Sequence, residues 1–358
     1  MKQRLSSFYE ETRSARKIVV VDFGFLGDTV HLIPSLRVLR QNYPQAELHV
    51  VTTPVGAEIL KMTPCVDRAW PYRLTHPSPP WHESLGLVRQ LRAQRFDALF
   101  NFSGADRTVY LSAALGVRRK ISQTPARWHF YNPLLSRYWA PRGKEHGTIP
   151  IYQGRLEMLR NAGLDISETR FELTISPELL REVDQWIHPG AVHLSPNTST
   201  PMKEWPVRRW VGLVKLFSRK YPQAKMLLST PLEPRQFDRA EAIVEGADCR
   251  QLRLLPPGLG IPQLSAIISR CKIHLGCDSG PLHLAWALDI PSLSLCRNYK
   301  ELKSWIPQSP KHKAILVECS CIGKKHPECA SQNESACLGK ITEEEVFAKL
   351  SAMYERGC

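Results

Sequence analysis

The 358-residue chain lacks the features of several protein classes. No apolar run approaches the roughly 18–20 residues that a membrane-spanning helix needs. The short apolar run at residues 18–21 is interrupted by Asp22, so it does not form the core of a signal peptide. No internal repeat or low-complexity tract stands out. These absences predict a globular, cytoplasmic protein with two domains of ordinary size.

Acidic residues are too few to balance the basic ones. Aspartate and glutamate total 34 against 48 lysines and arginines, which gives a formal net charge of +14. This charge predicts an anionic partner: nucleic acid, a membrane surface or a phosphorylated substrate. The sequence shows no basic stripe along a groove-reading helix and no base-stacking motif, which disfavours a nucleic-acid-binding protein.

Short apolar runs alternate with segments of helical periodicity. The predicted elements include strands at 17–22, 47–53, 97–101, 118–122 and 191–195 and helices at 29–42 and 263–270. Such alternation predicts parallel sheets covered by helices on both faces. We therefore predict an α/β protein with two domains, residues 1–170 and 171–358, the second of which ends in a helix at about 342–354.

The stretch from Ile273 to Leu288 has the pattern of a buried strand, a polar turn and a helix. The turn is Asp278-Ser279-Gly280, and His283 lies in the first helical turn. The start of such a helix presents N–H groups and a positive dipole end, both of which suit a phosphate. The alternative is structural, with Asp278 or Ser279 as an ordinary N-cap and His283 on the surface.

A second polar loop of the same domain contains Thr198-Ser199-Thr200 and Lys203 and opens a helix. Its hydroxyl groups and its single cation would suit a diphosphate. A hydroxyl-rich loop is weak support by itself. Two such loops in one domain make the prediction of a phosphate site stronger.

The turn Gly24-x-x-Gly27-Asp28 follows the first predicted strand and resembles a dinucleotide-binding fingerprint only loosely. The third glycine is missing, and the second strand ends without the acidic residue that binds a ribose diol. Both absences count against a nicotinamide enzyme. Asp28 is either a structural helix cap or a general base that takes a proton from an attacking hydroxyl.

Basic and aromatic side chains interleave between residues 103 and 145. The basic residues, among them Arg118, Arg119 and Lys120, are opposed only by Asp106 and Glu145. One interpretation is a solvated loop whose aromatic side chains pack locally. The other is a docking surface for an anionic amphiphile, with cations for phosphates and aromatic rings for apolar or sugar faces.

Ten cysteines are unusual for a cytoplasmic protein, where structural disulfides are rare. Cys319, Cys321, Cys329 and Cys337 cluster, but without the paired C-x2-C spacing of common zinc sites. Three alternatives stay open: a structural zinc or iron site, one or two disulfides formed during purification, or free thiols.

Three motifs, in this order and spacing, resemble glycosyltransferase family nine, the ADP-heptose:lipopolysaccharide heptosyltransferases. They are Gly24-x-Leu26-Gly27-Asp28 followed by Pro34-x-Leu36, then Lys203-x-Trp205-Pro206, then Gly276-x-Asp278-Ser279-Gly280-x-x-His283-x-x-Ala-x-Ala287. The match spans nearly the whole chain. The resemblance implies a GT-B fold, in which two Rossmann-like doubly wound domains face each other across a cleft, with the donor held mainly by the second and the acceptor by the first.

The resemblance also implies roles for single residues. Asp28 matches the proposed base, Asp278 matches the acid that binds the heptose hydroxyls, and Glu233 falls near the ribose-binding acid. Ser279 stands where many members have threonine, a change that preserves the hydroxyl. The donor-binding set is Gly27, Thr198, Ser199, Thr200, Lys203, Glu233, Asp278, Ser279, Gly280 and His283, and Arg118, Arg119 and Lys120 are predicted to bind the acceptor.

The function that the resemblance implies is inverting transfer of heptose from ADP-heptose to a lipopolysaccharide inner-core acceptor, Kdo or heptose. No metal or other cofactor is expected in catalysis. An anionic glycolipid acceptor would bring the cytoplasmic enzyme to the inner face of the inner membrane as a peripheral protein. The alternatives are a related glycosyltransferase with another nucleotide sugar or a protein acceptor and, from a different class, a basic nucleic-acid-binding protein.

Overall fold

The computed structural model describes residues 2–73, 81–124, 132, 136, 138–140, 149–167, 169–306, 309–319 and 335–356. The chain divides into two compact units, Met1–Thr174 and Ile175–Cys358. The boundary predicted from the sequence lies between residues 170 and 171. Each unit is a parallel sheet with helices, so the predicted α/β class with two doubly wound domains is confirmed.

The first unit begins with a helix and then alternates strands and helices. Its described helices are α1 (Lys2–Thr12), α2 (Leu26–Val30), α3 (Ile33–Asn42), α4 (Pro54–Leu60), α5 (Trp81–Ala93), α6 (Asp106–Ala114) and α7 (Ile151–Asn161). Its strands are β1 (Lys17–Val21), β2 (Glu47–Thr52), β3 (Arg68–Pro71), β4 (Ala98–Asn101), β5 (Arg119–Gln123) and β6 (Tyr138–Ala140). The strands lie in the order β3-β2-β1-β4-β5-β6, and all neighbours are parallel.

Both faces of this first sheet are buried, as the continuous apolar sequence of β1 predicts. Successive strand side chains point to opposite faces. Ile18 and Val20 therefore join one buried cluster with Phe8 of α1, whereas Val19 and Val21 join another. Burial of a side chain of this size contributes roughly 1.5–3 kcal/mol, which fixes β1 at the centre of the unit.

The second unit repeats the same plan. Its described helices are α8 (Pro177–Val183), α9 (Val207–Lys220), α10 (Pro234–Ala247), α11 (Ile261–Ile268), α12 (Gly280–Ala287) and α13 (Glu343–Arg356), with short 3₁₀ helices at Asp184–Trp186, Pro201–Lys203, Lys300–Ser304 and Leu338–Lys340. Its strands are β7 (Val192–Ser195), β8 (Met226–Leu228), β9 (Leu252–Leu254), β10 (Ile273–Cys277), β11 (Ser292–Asn298) and β12 (His312–Glu318). The order β12-β11-β10-β7-β8-β9 has the connectivity of the first sheet.

In both sheets the strand order reverses at one place, between β1 and β4 and between β7 and β10. In open parallel sheets, ligands bind beyond the carboxyl ends of the strands at this switch point. The fold therefore marks one candidate ligand edge in each unit. Among the described residues, no helix is long and apolar enough to cross a membrane.

The helix predicted from Thr29 to Asn42 is in fact two helices. α2 ends at Val30 and α3 begins at Ile33. Pro34, in the first turn of α3, explains the break, because proline lacks an N–H group and its ring collides with the carbonyl group four residues earlier. The short helix α2 carries Asp28, and α3 supplies buried side chains to the core.

Candidate functional site

Two polar loops leave the second sheet at its switch point. Residues 196–206 follow β7, and the turn at 278–280 follows the neighbouring strand β10. Because the strands are parallel, both loops lie at the carboxyl edge of the sheet. The structure therefore brings together the two phosphate loops that the sequence predicts.

An ion pair joins these two loops. Lys203 Nζ lies 2.8 Å from Asp278 Oδ2, and the Asp278 side chain is only 13% exposed. The hydroxyl of Tyr299 donates to the same oxygen at 3.3 Å. Burial and the charge of Asp278 raise the pKa of Tyr299, so this hydroxyl stays protonated and acts as a donor. Sequence reasoning missed Tyr299, although its place directly after β11 puts it at the same edge.

The loop after β7 is held by hydrogen bonds of its own. The backbone N–H of Thr198 donates to Glu204 Oε1 at 2.8 Å, and the Thr198 hydroxyl donates to the Thr200 carbonyl oxygen at 2.6 Å. Thr198 is buried, Ser199 is exposed and Thr200 is intermediate. Ser199 is therefore the most exposed of the three hydroxyl-bearing residues in the predicted diphosphate loop.

A buried carboxylate that sequence reasoning missed organises this loop. Glu204 is 3% exposed and accepts a hydrogen bond from Arg235 Nη1 at 2.8 Å. The second amino group of Arg235 donates to the Thr198 carbonyl oxygen at 3.1 Å. Arg235 and Glu204 thus fix the backbone of the polar loop from α10.

Glu233 has a structural task at the start of α10. Its carboxylate accepts hydrogen bonds from the backbone N–H groups of Arg235 at 3.2 Å and Gln236 at 3.1 Å, as an N-cap does. The side chain is 48% exposed. The ribose-binding role that the resemblance implies stays a prediction.

The turn after β10 leads into α12 as predicted. Ser279 is the N-cap residue by backbone conformation but makes no side-chain cap bond, and its hydroxyl has no hydrogen-bond partner among the described residues. Gly280 is the first residue of α12. His283 is 4% exposed, not at the surface, and packs edge to face on Trp305 at 6.0 Å. Burial lowers the pKa of His283 to about 4, so its imidazole is neutral at pH 7.

In the first unit, Asp28 lies at the carboxyl edge of the sheet, one loop after β1. Asp28 Oδ2 accepts the backbone N–H of Phe25 at 2.9 Å, so Asp28 caps one free N–H group at the start of α2. Asp28 therefore has the structural role of a helix cap that the sequence suggests as one alternative. The hydrogen bond from Phe25 uses Oδ2, and Oδ1 takes no part in it. Gly27 precedes Asp28 in α2 and belongs to the first unit, whereas the other predicted donor-binding residues belong to the second.

Gly24 makes room for the Asp28 side chain. A Cβ atom at Gly24 would lie 2.0 Å from Asp28 Cβ and 2.6 Å from Asp28 Cγ, far inside van der Waals contact. The close approach of the carboxylate therefore requires glycine at position 24.

Electrostatics favour a proton acceptor at Asp28. Burial raises the pKa of its carboxyl above the usual range, and the charge of Asp22 raises it further. The guanidinium of Arg155 and the N–H of Phe25 oppose this rise. A carboxylate of raised pKa is a stronger base, as a general base needs.

Arg118, Arg119 and Lys120 lie at the opposite edge of the first sheet from Asp28. In the parallel register, Arg119 pairs with Ala98, and Ala98 pairs with Ile18 at the start of β1. Three further residues of strand, roughly 10 Å, separate this level from the carboxyl edge. The structure therefore does not place these three residues in one site with Asp28.

Within the basic, aromatic segment at 103–145, the structure describes residues 103–124, 132, 136 and 138–140. Residues 125–131, 133–135, 137 and 141–148 lie outside the described residues. At the carboxyl edge, the segment contributes Arg107 and Tyr110 of α6, which follows β4, and the Tyr110 side chain is 49% exposed. Phe25, 87% exposed, lies on the same edge after β1. These residues, rather than the cluster at 118–120, are at the level of Asp28.

Two members of the cysteine cluster are described, and they are adjacent. Cys319 Sγ and Cys337 Sγ are 2.9 Å apart, which brings the end of β12 to the 3₁₀ helix Leu338–Lys340. Cys321 and Cys329 lie outside the described residues. In the structure the two thiols are adjacent without a covalent bond between them. Adjacent thiols can supply two ligands to a metal ion or be oxidised to a disulfide, so the three alternatives stay as predicted from the sequence.

Two Rossmann-like units with charged loops at their switch points have the GT-B fold. The chain belongs to glycosyltransferase family 9 (heptosyltransferase), whose model matches residues 84–334. The predicted enzyme class and family are thus confirmed.

Individual relatives agree with this assignment. The lipopolysaccharide core heptosyltransferase OpsX of Haemophilus influenzae is 24% identical over 301 residues, 82% of each chain. The family 9 glycosyltransferase of Veillonella parvula superposes with a TM-score of 0.77 at 19% identity, over 95% of this chain and 97% of that one. Escherichia coli heptosyltransferase WaaC with ADP-2-deoxy-2-fluoro heptose gives a TM-score of 0.70 at 20% identity, over 94% and 99%.

Proposed function

We propose that the protein transfers heptose from ADP-heptose to a lipopolysaccharide inner-core acceptor, Kdo or heptose, with inversion at the anomeric carbon. The second unit would bind the donor and the first unit the acceptor. The observation that carries this proposal is the Lys203–Asp278 pair, because it places one cation and one carboxylate side by side at the switch point. A structure of the related WaaC with an ADP-heptose analogue supports the same donor class.

The donor needs both members of this pair. The ammonium group of Lys203 would stabilise the diphosphate, and the Asp278 carboxylate would accept hydrogen bonds from heptose hydroxyls. The Ser199 and Ser279 hydroxyls and the start of α12 would supply further donors to phosphate oxygens. Lys203 provides the positive charge at the leaving group, so we propose that catalysis requires no cofactor.

Asp28 would serve the acceptor. As the acceptor hydroxyl attacks the anomeric carbon, its proton passes to the Asp28 carboxylate. The bond between the anomeric carbon and the phosphate oxygen breaks, and ADP leaves as the anion. The exposed ring of Phe25, three residues before Asp28, would pack on an apolar face of the acceptor sugar.

The general-base role is tested by Asp28→Asn. The asparagine can still accept the Phe25 N–H, so we expect an intact fold and unchanged affinity for ADP-heptose by calorimetry. Turnover should fall by roughly 10²-fold or more, because only the proton transfer is lost. A turnover within a few-fold of the parent would leave Asp28 with its capping role alone.

The donor is tested by titration with ADP, ADP-heptose and UDP-sugars. Tight binding of a UDP-sugar and none of ADP-heptose would favour the related nucleotide-sugar transferase. Transfer to a protein but not to a core glycolipid would favour the protein acceptor. The +14 charge supports a polyanionic acceptor, and with it a peripheral position at the inner face of the inner membrane.

A further inference from the structure

Arg155 of α7 contacts the loop that carries Asp28 at two points. Its Nη2 donates to Asp22 Oδ2 at 2.6 Å, and its Nη1 donates to the Asp28 carbonyl oxygen at 2.7 Å. The side chains of Arg155 and Asp22 are 9% and 2% exposed. One guanidinium thus binds both ends of the segment from the end of β1 to the first turn of α2.

Further hydrogen bonds link Asp22 to the Asp28 carboxylate through the intervening backbone. Asp22 Oδ1 accepts the backbone N–H of Gly24 at 2.9 Å, and the next N–H, that of Phe25, donates to Asp28 Oδ2. A movement of Asp22 would therefore shift Gly24, on whose Cα the Asp28 side chain rests.

We propose that Asp22 and Arg155 are positioning residues for Asp28: the ion pair fixes its backbone and sets the charge around its carboxylate. This inference rests on the proposed role of Asp28 as the base. A buried ion pair adds little net stability, because the cost of desolvation offsets the attraction. Here, however, both partners use further hydrogen bonds to hold the loop of Asp28.

The two partners act on Asp28 in opposite senses. Asp22 raises the pKa of Asp28, and Arg155 lowers it, against a background in which burial raises it. In the described part of the chain, the charges that act on the Asp28 carboxyl are those of Asp22 from the loop and Arg155 from α7. The buried imidazole of His31, which follows α2, stacks on Tyr152 of α7. Neutralising Asp22 and neutralising Arg155 should therefore move the pKa of Asp28 in opposite directions.

The test is the pH profile of kcat/KM for Asp22→Asn and Arg155→Gln. A general base works deprotonated, so activity falls on the acid side as Asp28 is protonated. We expect this acid limb of the profile, the pH range over which kcat/KM falls, to move to lower pH in Asp22→Asn and to higher pH in Arg155→Gln. A displacement of about one unit corresponds to a tenfold change in kcat/KM on the limb.

The double variant Asp22→Asn, Arg155→Gln leaves no unpaired buried charge, so it remains informative if Arg155→Gln alone does not fold. Its limb should lie between those of the single variants, with kcat reduced because the loop is no longer held. Asp67→Asn is the control, because it breaks the more exposed Arg40–Asp67 pair of the same unit, beside the start of β2 and so at the amino edge of the sheet. Limbs that stay in place, or move in the same direction in both single variants, would show that the pair is only structural.

Carbon-13 NMR of the Asp28 carboxyl separates this inference from the proposed function. Its resonance can be assigned from the Asp28→Asn variant, and its pKa can be measured without any substrate. If the pKa of Asp28 moves in opposite directions in Asp22→Asn and Arg155→Gln but the enzyme transfers no heptose, the positioning role is supported and the proposed function is contradicted. An unchanged Asp28 pKa in an active enzyme would remove the positioning role alone.

Discussion

Lys203 and Asp278 form an ion pair in which their charges offset each other. A diphosphate that attracts the ammonium group competes with this pair, while Tyr299 retains a hydrogen bond to the carboxylate. Removal of the lysine would leave a largely buried negative charge beside the incoming phosphates. Both effects weaken donor binding.

We therefore expect Lys203→Ala to weaken ADP binding by about 1.5–3 kcal/mol, the range for a hydrogen bond to a charged group. This corresponds to a rise of about 10- to 150-fold in the dissociation constant measured by calorimetry. Lys220→Ala is the control, because Lys220 makes a similar 2.8 Å contact with Glu355 on the exposed surface of the same unit. Unchanged ADP affinity in Lys203→Ala would place the diphosphate elsewhere.

Site residues that stand in a short motif were predictable from the sequence. Their hydrogen-bond partners from distant parts of the chain were not. Asp28, Lys203 and Asp278 stand in local patterns that report a turn or a helix start. Arg155 reaches Asp22 over a separation of 133 residues, and Tyr299 reaches Asp278 over 21 residues. Such contacts depend on the register of strands and helices, which a single sequence does not contain.

Elements with a long apolar pattern were also predictable. β1, β7, β10 and α12 agree with the sequence prediction to within a residue or two, because their burial on both faces leaves a continuous apolar signal. The helix break before α3 was missed, although Pro34 marks it. Strands of three or four residues, such as β6 and β9, are too short to show a period.

The end of β12 and the segment before α13 meet at Cys319 and Cys337. We propose that this pair belongs to a structural metal site with Cys321 and Cys329, and we expect about one equivalent of zinc or iron by elemental analysis of the purified protein. Cys319→Ser and Cys337→Ser should each lose the metal and lower Tm by several degrees, because a metal link between two segments stabilises the folded state.

Cys249→Ser, in the same unit but outside the cluster, serves as the control for metal content. Intact mass separates the remaining alternatives, because each disulfide lowers the mass by two hydrogens. A metal-free protein with one or two disulfides, or with every thiol titratable in the folded state, would contradict the metal site.

Across the whole molecule, the +14 charge favours attraction to polyanions, independent of any single site. Arg118 and Arg119 are exposed at the amino edge of the first sheet, and burial lowers the pKa of the neighbouring Lys120. These residues lie away from Asp28, so a contribution to acceptor binding would act on remote phosphates of a glycolipid or on the membrane surface. Such a contribution is electrostatic and is screened by salt.

We expect substitution of Arg118, Arg119 and Lys120 by glutamine to raise the Michaelis constant for an anionic core glycolipid by about tenfold or more at low salt. The reason is that each basic residue near an anionic surface contributes about 1 kcal/mol to binding. The effect should shrink as ionic strength increases, and the constant for ADP-heptose and kcat should stay close to the parent values. The control neutralises Lys215, Arg219 and Lys349, which are exposed on α9 and α13 of the second unit and remove the same charge. An equal effect in both variants would assign acceptor attraction to net charge, and an effect on the donor constant would contradict acceptor binding by the first unit.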